Sequence, residues 1–272
     1  MPWFVNEEGR RLWYEERGEG PVLVLLHGWC MSSAVWRFQA DALSGRFRVV
    51  MPDLAGNGRS EHSERYDFAH FASDLKQLFV HLDLREALLA GWSMGAQVAL
   101  QACGELHGRL TAVALISGTP CFAANASFPH GLKATEINGM ELKLRRNTGR
   151  ALSGFTAGMF APDELNDPNL AREVRDILAH VPIPQASVAL QTLRTLAESD
   201  LRHLLPRLNL PVLVVNGDQD RICLPEASAY MAAHTMSTHR VVAGGGHALF
   251  LARPEEFNNF LIDFWEGVRD CS

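Results

Sequence analysis

Short apolar runs alternating with longer helical patterns constrain this chain more than any other feature. The runs Val22 to Leu26, Phe47 to Met51, Ala87 to Leu89 and Ala112 to Ile116 are apolar on both faces instead of alternating. A strand buried on both faces needs a layer on each side, which is the mark of a parallel sheet held between helices. The stretches between the runs, at Ala34 to Ala42, Phe68 to Leu82 and Met94 to Glu105, read as helices and supply those layers. From Cys121 to Asp200 the strand runs stop, and the chain reads as helices broken by Pro129, Pro162, Pro168 and the Pro182-Ile-Pro184 segment. The β pattern resumes at Pro211 to Asn216. A helix near Pro225 to His234, a strand at Arg240 to Ala243 and an amphipathic helix from Pro254 to Val268 complete the chain. The expectation is an α/β fold in which a mostly parallel sheet, covered by helices on both faces, is built from residues 1–120 and 201–272. A helical cap over 121–200 interrupts it.

With 272 residues, 47% of them hydrophobic, the chain can bury one large core. Its formal net charge of -6 argues against the basic field of a nucleic-acid binder. The longest apolar runs fall far short of the roughly 20 residues that span a bilayer, so no membrane partner is expected. The first residues carry carboxylates where an export signal needs a cationic start. Cys30, Cys103, Cys121, Cys223 and Cys271 lack C-x-x-C spacing, and an odd count cannot pair fully, which points to a reducing cytoplasm. Each reads as a small buried hydrophobe. No H-E-x-x-H, paired C-x-x-C or EF-hand spacing occurs, so chemistry without metal or cofactor is expected.

The segment Gly91-Trp92-Ser93-Met94-Gly95 places G-x-S-x-G between a strand and a helix. A sharp strand-to-helix turn crowds the backbone; the two glycines relieve it and the serine hydroxyl is left projecting above the sheet. A serine hydroxyl is a weak nucleophile without a base to take its proton, and the base needs a carboxylate to orient it. His247, in the glycine-rich loop Gly244-Gly245-Gly246 after a strand, is the histidine best placed for that work. The loop Gly217-Asp218-Gln219-Asp220 offers two acids. Asp220, three residues past the glycine, is the candidate orienting acid, and Asp218 reads as the residue that hydrogen-bonds the turn. Two backbone N–H groups must receive the developing oxyanion, and Trp29 and Met94 occupy the corresponding places. His27 reads as a loop-bonding residue. The glycine-rich stretch Asp53 to Ser60 lacks nucleotide-binding spacing and reads as a structural turn.

These motifs resemble the α/β-hydrolase family over nearly the whole chain: Leu-Leu-His-Gly-Trp at 25 to 29, Asp-Leu-Ala-Gly-Asn-Gly-Arg-Ser at 53 to 60, Gly-Trp-Ser-Met-Gly at 91 to 95, Gly-Asp-Gln-Asp at 217 to 220 and Gly-Gly-His-Ala at 245 to 248. Serine at 93 separates the chain from haloalkane dehalogenases and epoxide hydrolases, which use an aspartate there. Within the family it is similar to the pimeloyl-acyl-carrier-protein methyl ester esterases of biotin synthesis. The parallels are His-Gly-Trp-Cys with Trp36, Gly118-Thr-Pro-Cys-Phe122 and Val181-Pro-Ile-Pro184.

The resemblance implies that Arg146, Arg150 and Arg172, with Arg175 nearby, contact an acidic carrier protein on the cap. It also implies that Trp29, Met94, Ala151, Leu152 and Phe155 contact substrate. Ala151 replaces a frequent aromatic, with Phe155 one turn on to compensate. Read from the residues alone, Lys143, Arg146 and Arg150 fall at helical spacing on one face, with no acid between 143 and 150, and a solvated face explains that pattern as well. The expected activity is serine ester hydrolysis through an acyl-enzyme. A broad carboxylesterase, lactonase or carbon–carbon hydrolase is the alternative, and a receptor with a vestigial triad is a third reading.

Overall fold

The computed structural model describes residues 2–270, so Cys271 lies outside the described residues. The strands are β1 (Trp3–Val5), β2 (Arg11–Arg17), β3 (Val22–Leu26), β4 (Arg48–Pro52), β5 (Ala87–Trp92), β6 (Leu110–Ile116), β7 (Val212–Gly217) and β8 (Ser237–Val242). They form one sheet in the order β1-β2-β4-β3-β5-β6-β7-β8. From β4 to β8 every neighbouring pair is parallel, and β1 and β2 join antiparallel at one edge. The helices are α1 (Arg37–Leu43), α2 (Phe68–His81), α3 (Met94–Cys103), α4 (Ala134–Arg146), α5 (Thr148–Ala157), α6 (Pro168–Ala179), α7 (Ala186–Glu198), α8 (Pro225–Ala233), α9 (Leu249–Ala252) and α10 (Pro254–Asp270).

The core divides by strand parity. Val24, Leu26, Leu89, Val113 and Val214 face a cluster with Phe71, Leu75 and Phe79 of α2 and Val98 of α3. Leu23, Leu25, Leu88, Ala114 and Val215 face the opposite cluster, with Leu43 of α1 and Phe257, Leu261 and Trp265 of α10. Both faces are therefore covered, as the apolar runs require. A one-residue slip would exchange the two sets and mismatch both layers, which fixes the register.

The sequence did not signal the N-terminal strands, because the apolar β1 is only three residues long and β2 has no continuous apolar run. In β2, Leu12 and Tyr14 are buried while Arg11 and Arg17 are exposed, the alternation of a strand with one wet face. β8, at the other edge, begins at Ser237, three residues before its expected start, because its first four residues are all polar and give no apolar signal.

Between β6 and β7, helices α4 to α7 form an insertion whose ends meet. Cys121 and Asp200 form an isolated bridge, and the Leu201 N–H donates to the Pro120 carbonyl at 2.8 Å. One expectation is corrected here. Lys143, Arg146 and Arg150 do not share a helix face, because Asn147 is extended and ends α4, and its side chain accepts the Arg150 N–H to start α5. Asparagine is strongly favoured in that capping place.

Candidate active site

β5 delivers the chain to Ser93 and α3 carries it away. Ser93 holds φ 56° and ψ -118°, a backbone conformation that costs a side-chain-bearing residue about 1–3 kcal/mol and needs its surroundings to enforce it. Packing does the enforcing: a Cβ on Gly91 would lie 2.2 Å from the Gly95 carbonyl oxygen, and one on Gly95 2.5 Å from that of Leu26. The Ser93 N–H is bound by the Ile116 carbonyl at 2.9 Å. The turn therefore belongs to the sheet, and the side chain comes with it.

The loop after β8 brings His247 to the loop after β7. Nδ1 lies 2.8 Å from Asp220 Oδ2, and the histidine is 1% exposed. The other Asp220 oxygen accepts the N–H groups of Ile222 at 2.8 Å and Cys223 at 3.0 Å. Asp218 does not reach the histidine; its Oδ1 accepts the Gly244 N–H at 2.7 Å and ties the two loops together. With the carboxylate on Nδ1, the imidazole keeps its lone pair on Nε2, which is buried and has no hydrogen-bond partner. Trp92 Nε1 donates to the His247 carbonyl at 2.9 Å, and the His247 N–H donates to the Met159 carbonyl at 2.7 Å.

The Ser93 hydroxyl lies beside the Cys223 thiol, and His247 Nε2 does not receive it. Sequence reasoning passed over Cys223 as an ordinary buried cysteine; its position three residues after Asp220 was the available signal. Burial and the nearby Asp220 charge hold this thiol well above the usual range, with the Ser93 bond opposing, so it stays protonated.

Among the described residues, no hydrogen bond uses the backbone N–H of Trp29 or Met94. The Met94 side chain is buried in the core, so a contact with substrate is open to its backbone only. His27 is fully engaged: Nδ1 meets the Gly28 carbonyl at 2.8 Å and Nε2 accepts the Leu54 N–H at 2.9 Å. Burial pushes its pKa below the usual value, with Asp53 opposing. Asp53 in turn accepts the N–H groups of Ser33 and Arg59, which makes the glycine-rich segment after β4 a turn brace.

A cavity of about 150 Å³ lies over Ser93, walled by Trp29, Phe122, Ile137, Phe155, Leu193 and Ile222 among others. Trp29 and Phe155 meet edge to face with centroids 4.9 Å apart, and Trp29 Nε1 donates to Thr192 Oγ1 of α7 at 2.9 Å. Of the three insertion residues expected here, Phe155 alone reaches this cavity. Leu152 lines a neighbouring groove of about 670 Å³ together with Arg175, and Ala151 packs inside the core. A cavity of about 700 Å³ between β7, β8 and α10 holds none of these groups and is remote from the chemistry. Arg146, Arg150, Arg172 and Arg175 are exposed, and among the described residues none is paired with an acid; Arg145, by contrast, is held by Glu141 at 2.6 Å.

The family model for the alpha/beta hydrolase fold matches residues 21–254. A pimeloyl-[acyl-carrier protein] methyl ester esterase from Nitrosomonas europaea is 32% identical over 245 residues, which cover 89% of this chain and 95% of that protein. An esterase from Exiguobacterium antarcticum superposes with a TM-score of 0.89 at 24% identity, covering 97% of this chain and 98% of that one. A bromoperoxidase from Bacillus anthracis superposes with a TM-score of 0.87 at 27% identity, covering 96% and 97%.

Proposed function

Because this chain belongs to the α/β-hydrolase family, we propose that it cleaves esters with Ser93 as nucleophile, His247 as general base and Asp220 as the carboxylate that orients the histidine. The chain is a carboxylic-ester hydrolase. The observation that carries the assignment of roles is the buried His247 ring, with Asp220 on Nδ1 and an unpartnered Nε2. When an ester enters, the Ser93 hydroxyl leaves Cys223 and gives its proton to Nε2 as Oγ attacks the carbonyl carbon. Such hydrogen bonds often tighten only in the complex. The oxyanion takes the N–H groups of Trp29 and Met94, with the N-terminus of α3 behind them. His247 then protonates the departing alcohol. The same base activates water to release the acid and restore Ser93.

The substrate is a methyl ester of a pimeloyl chain borne on an acyl-carrier protein, the substrate in the name of the Nitrosomonas europaea relative. Support within this chain comes from four unpaired arginines on the insertion and from Arg175 beside the 670 Å³ groove. A protein otherwise net negative presents there the charge an acidic partner would meet. Docking on the insertion and a cytoplasmic location belong to this proposal; the four described cysteines are free, and among the described residues no helix is long and apolar enough to cross a membrane.

A second reading, hydrolysis of small free esters or lactones, draws on the 150 Å³ of space over Ser93. Side-by-side turnover of one methyl ester attached to the carrier protein and as a free molecule separates the two readings. A preference for the carrier-bound form supports the first, and equal kcat/KM supports the second. A fluorophosphonate that labels wild-type protein and spares Ser93→Ala tests the nucleophile.

A further inference from the structure

The insertion holds the loop that carries His247. The N–H of Gly246, the residue before the histidine, donates to Glu164 Oε1 at 2.9 Å, and the Ala161 N–H donates to Oε2 at 2.8 Å. The Met159 carbonyl accepts from both His247 at 2.7 Å and Ala248 at 3.2 Å. Contact is close throughout: a Cβ on Gly246 would stand 2.6 Å from Ala161 N, Glu164 Oε2 and Met159 O. One half-buried carboxylate thus joins the backbones of two segments far apart in the chain, directly beside the proposed base. Nothing in the hydrolytic steps themselves calls for it.

Resting on the reading of His247 as general base, we propose that Glu164 is a positioning residue, which sets the imidazole through Gly246 and adds its negative charge to that of Asp220 when the imidazolium forms. The groups acting on Glu164 are consistent with this placement. Burial raises its pKa, the two backbone N–H groups and Arg253 lower it, and Asp220 raises it, with burial prevailing. A carboxyl that feels the Asp220 charge is near enough for its own charge to be felt by the pair.

The experiment compares wild type, Glu164→Gln, Glu164→Asp and His247→Ala on a small aryl ester, with kcat, KM, pH profile and melting temperature for each. Glutamine keeps one acceptor and sets an amide N–H₂ against the second donor; a loss of about tenfold in kcat with KM nearly unchanged is expected. The acid limb should move to lower pH by a few tenths of a unit or more, roughly, because the imidazolium loses a nearby anion. Aspartate keeps the charge and falls a methylene short, so kcat should drop with the acid limb in place. Wild-type kcat in Glu164→Gln overturns the inference, as does a loss of kcat that comes with a lower melting temperature and an unmoved acid limb. If the glutamine variant does not fold, Glu164→Asp decides: lower kcat at unchanged KM supports positioning, and wild-type kcat overturns it. An active His247→Ala would instead remove the general-base reading, whatever Glu164 does.

Discussion

Around His247, the ring Nδ1, the backbone N–H and the backbone carbonyl each have a partner at 2.7 to 2.9 Å. On the insertion, the exposed Arg146, Arg150, Arg172 and Arg175 have no acidic partner among the described residues. The first region holds its polar groups with hydrogen bonds to the surrounding backbone and carboxylate; the second leaves its charges to solvent. Chemistry that depends on sub-ångström placement has to be written into backbone geometry. Recognition of a charged partner through encounter needs only the right sign in the right area. The two regions should therefore respond differently to substitution, substrate and salt.

The largest contrast is expected from Ser93→Ala and His247→Ala. Each should lower kcat by about 10⁴- to 10⁶-fold on any ester, and the double variant should be little worse, since the pair acts as one unit. Near wild-type turnover by either folded single variant would break the comparison outright. Next comes Asp220→Asn, expected to lower kcat by about 10³- to 10⁴-fold through the wrong histidine tautomer. Asp218→Asn keeps an amide oxygen to accept the Gly244 N–H and loses only the charge that strengthens the bond, so it should cost at most about 1 kcal/mol of stability with activity largely kept. Kinetics of the two variants at one pH check the ranking, and its reversal would move the orienting acid to Asp218.

The insertion should give smaller, conditional effects. Arg146→Glu with Arg150→Glu is expected to lower kcat/KM on the carrier-protein ester about tenfold at low salt, leaving a small aryl ester unchanged. A salt titration checks this, because screening should erase most of the wild-type advantage by roughly 0.5 M. Equal loss on both substrates would assign the two arginines to folding. The smallest effect belongs to Arg145→Ala: this side chain is already engaged by Glu141, and an exposed pair of that kind contributes about 0–1 kcal/mol. Both substrates should be turned over within about twofold of wild type. A carrier-specific defect as large as that of Arg146 and Arg150 would show that unpaired charge is not what marks the docking face.

The same contrast explains what could be read in the sequence. Gly91, Ser93 and Gly95 were legible because the turn admits almost nothing else, as the 2.2 Å and 2.5 Å approaches at the glycines make plain. The spacing of Asp220 after Gly217 followed from the loop it must span. The insertion obeys weaker local rules. The helical spacing from Lys143 to Arg150 hid the break at Asn147, although an asparagine two residues before a glycine was a signal for a cap. Phe155 could be placed against Ser93 while Ala151 and Leu152 could not, because that depends on how α5 rotates over the sheet. The grip of Glu164 on Gly246 joins segments 82 residues apart, and no local pattern announces it. β2 escaped notice for another reason: its wet face dilutes the apolar signal on which strand reading depends.

The closed base of the insertion has an evolutionary consequence. Pro120 and Leu201 are hydrogen-bonded and Cys121 pairs with Asp200, so the chain leaves the sheet and returns to it through one doorway. A segment entered and left at a single point can be traded for another of different length without redesigning the strands on either side. Doubling such a loop costs only about 0.6 kcal/mol in closure entropy. A replacement insertion would therefore meet the sheet at that one junction, and the Met159 carbonyl sets a further condition. Any replacement must still bring an acceptor to the backbone of His247, or the imidazole would lose the partner that holds its main chain.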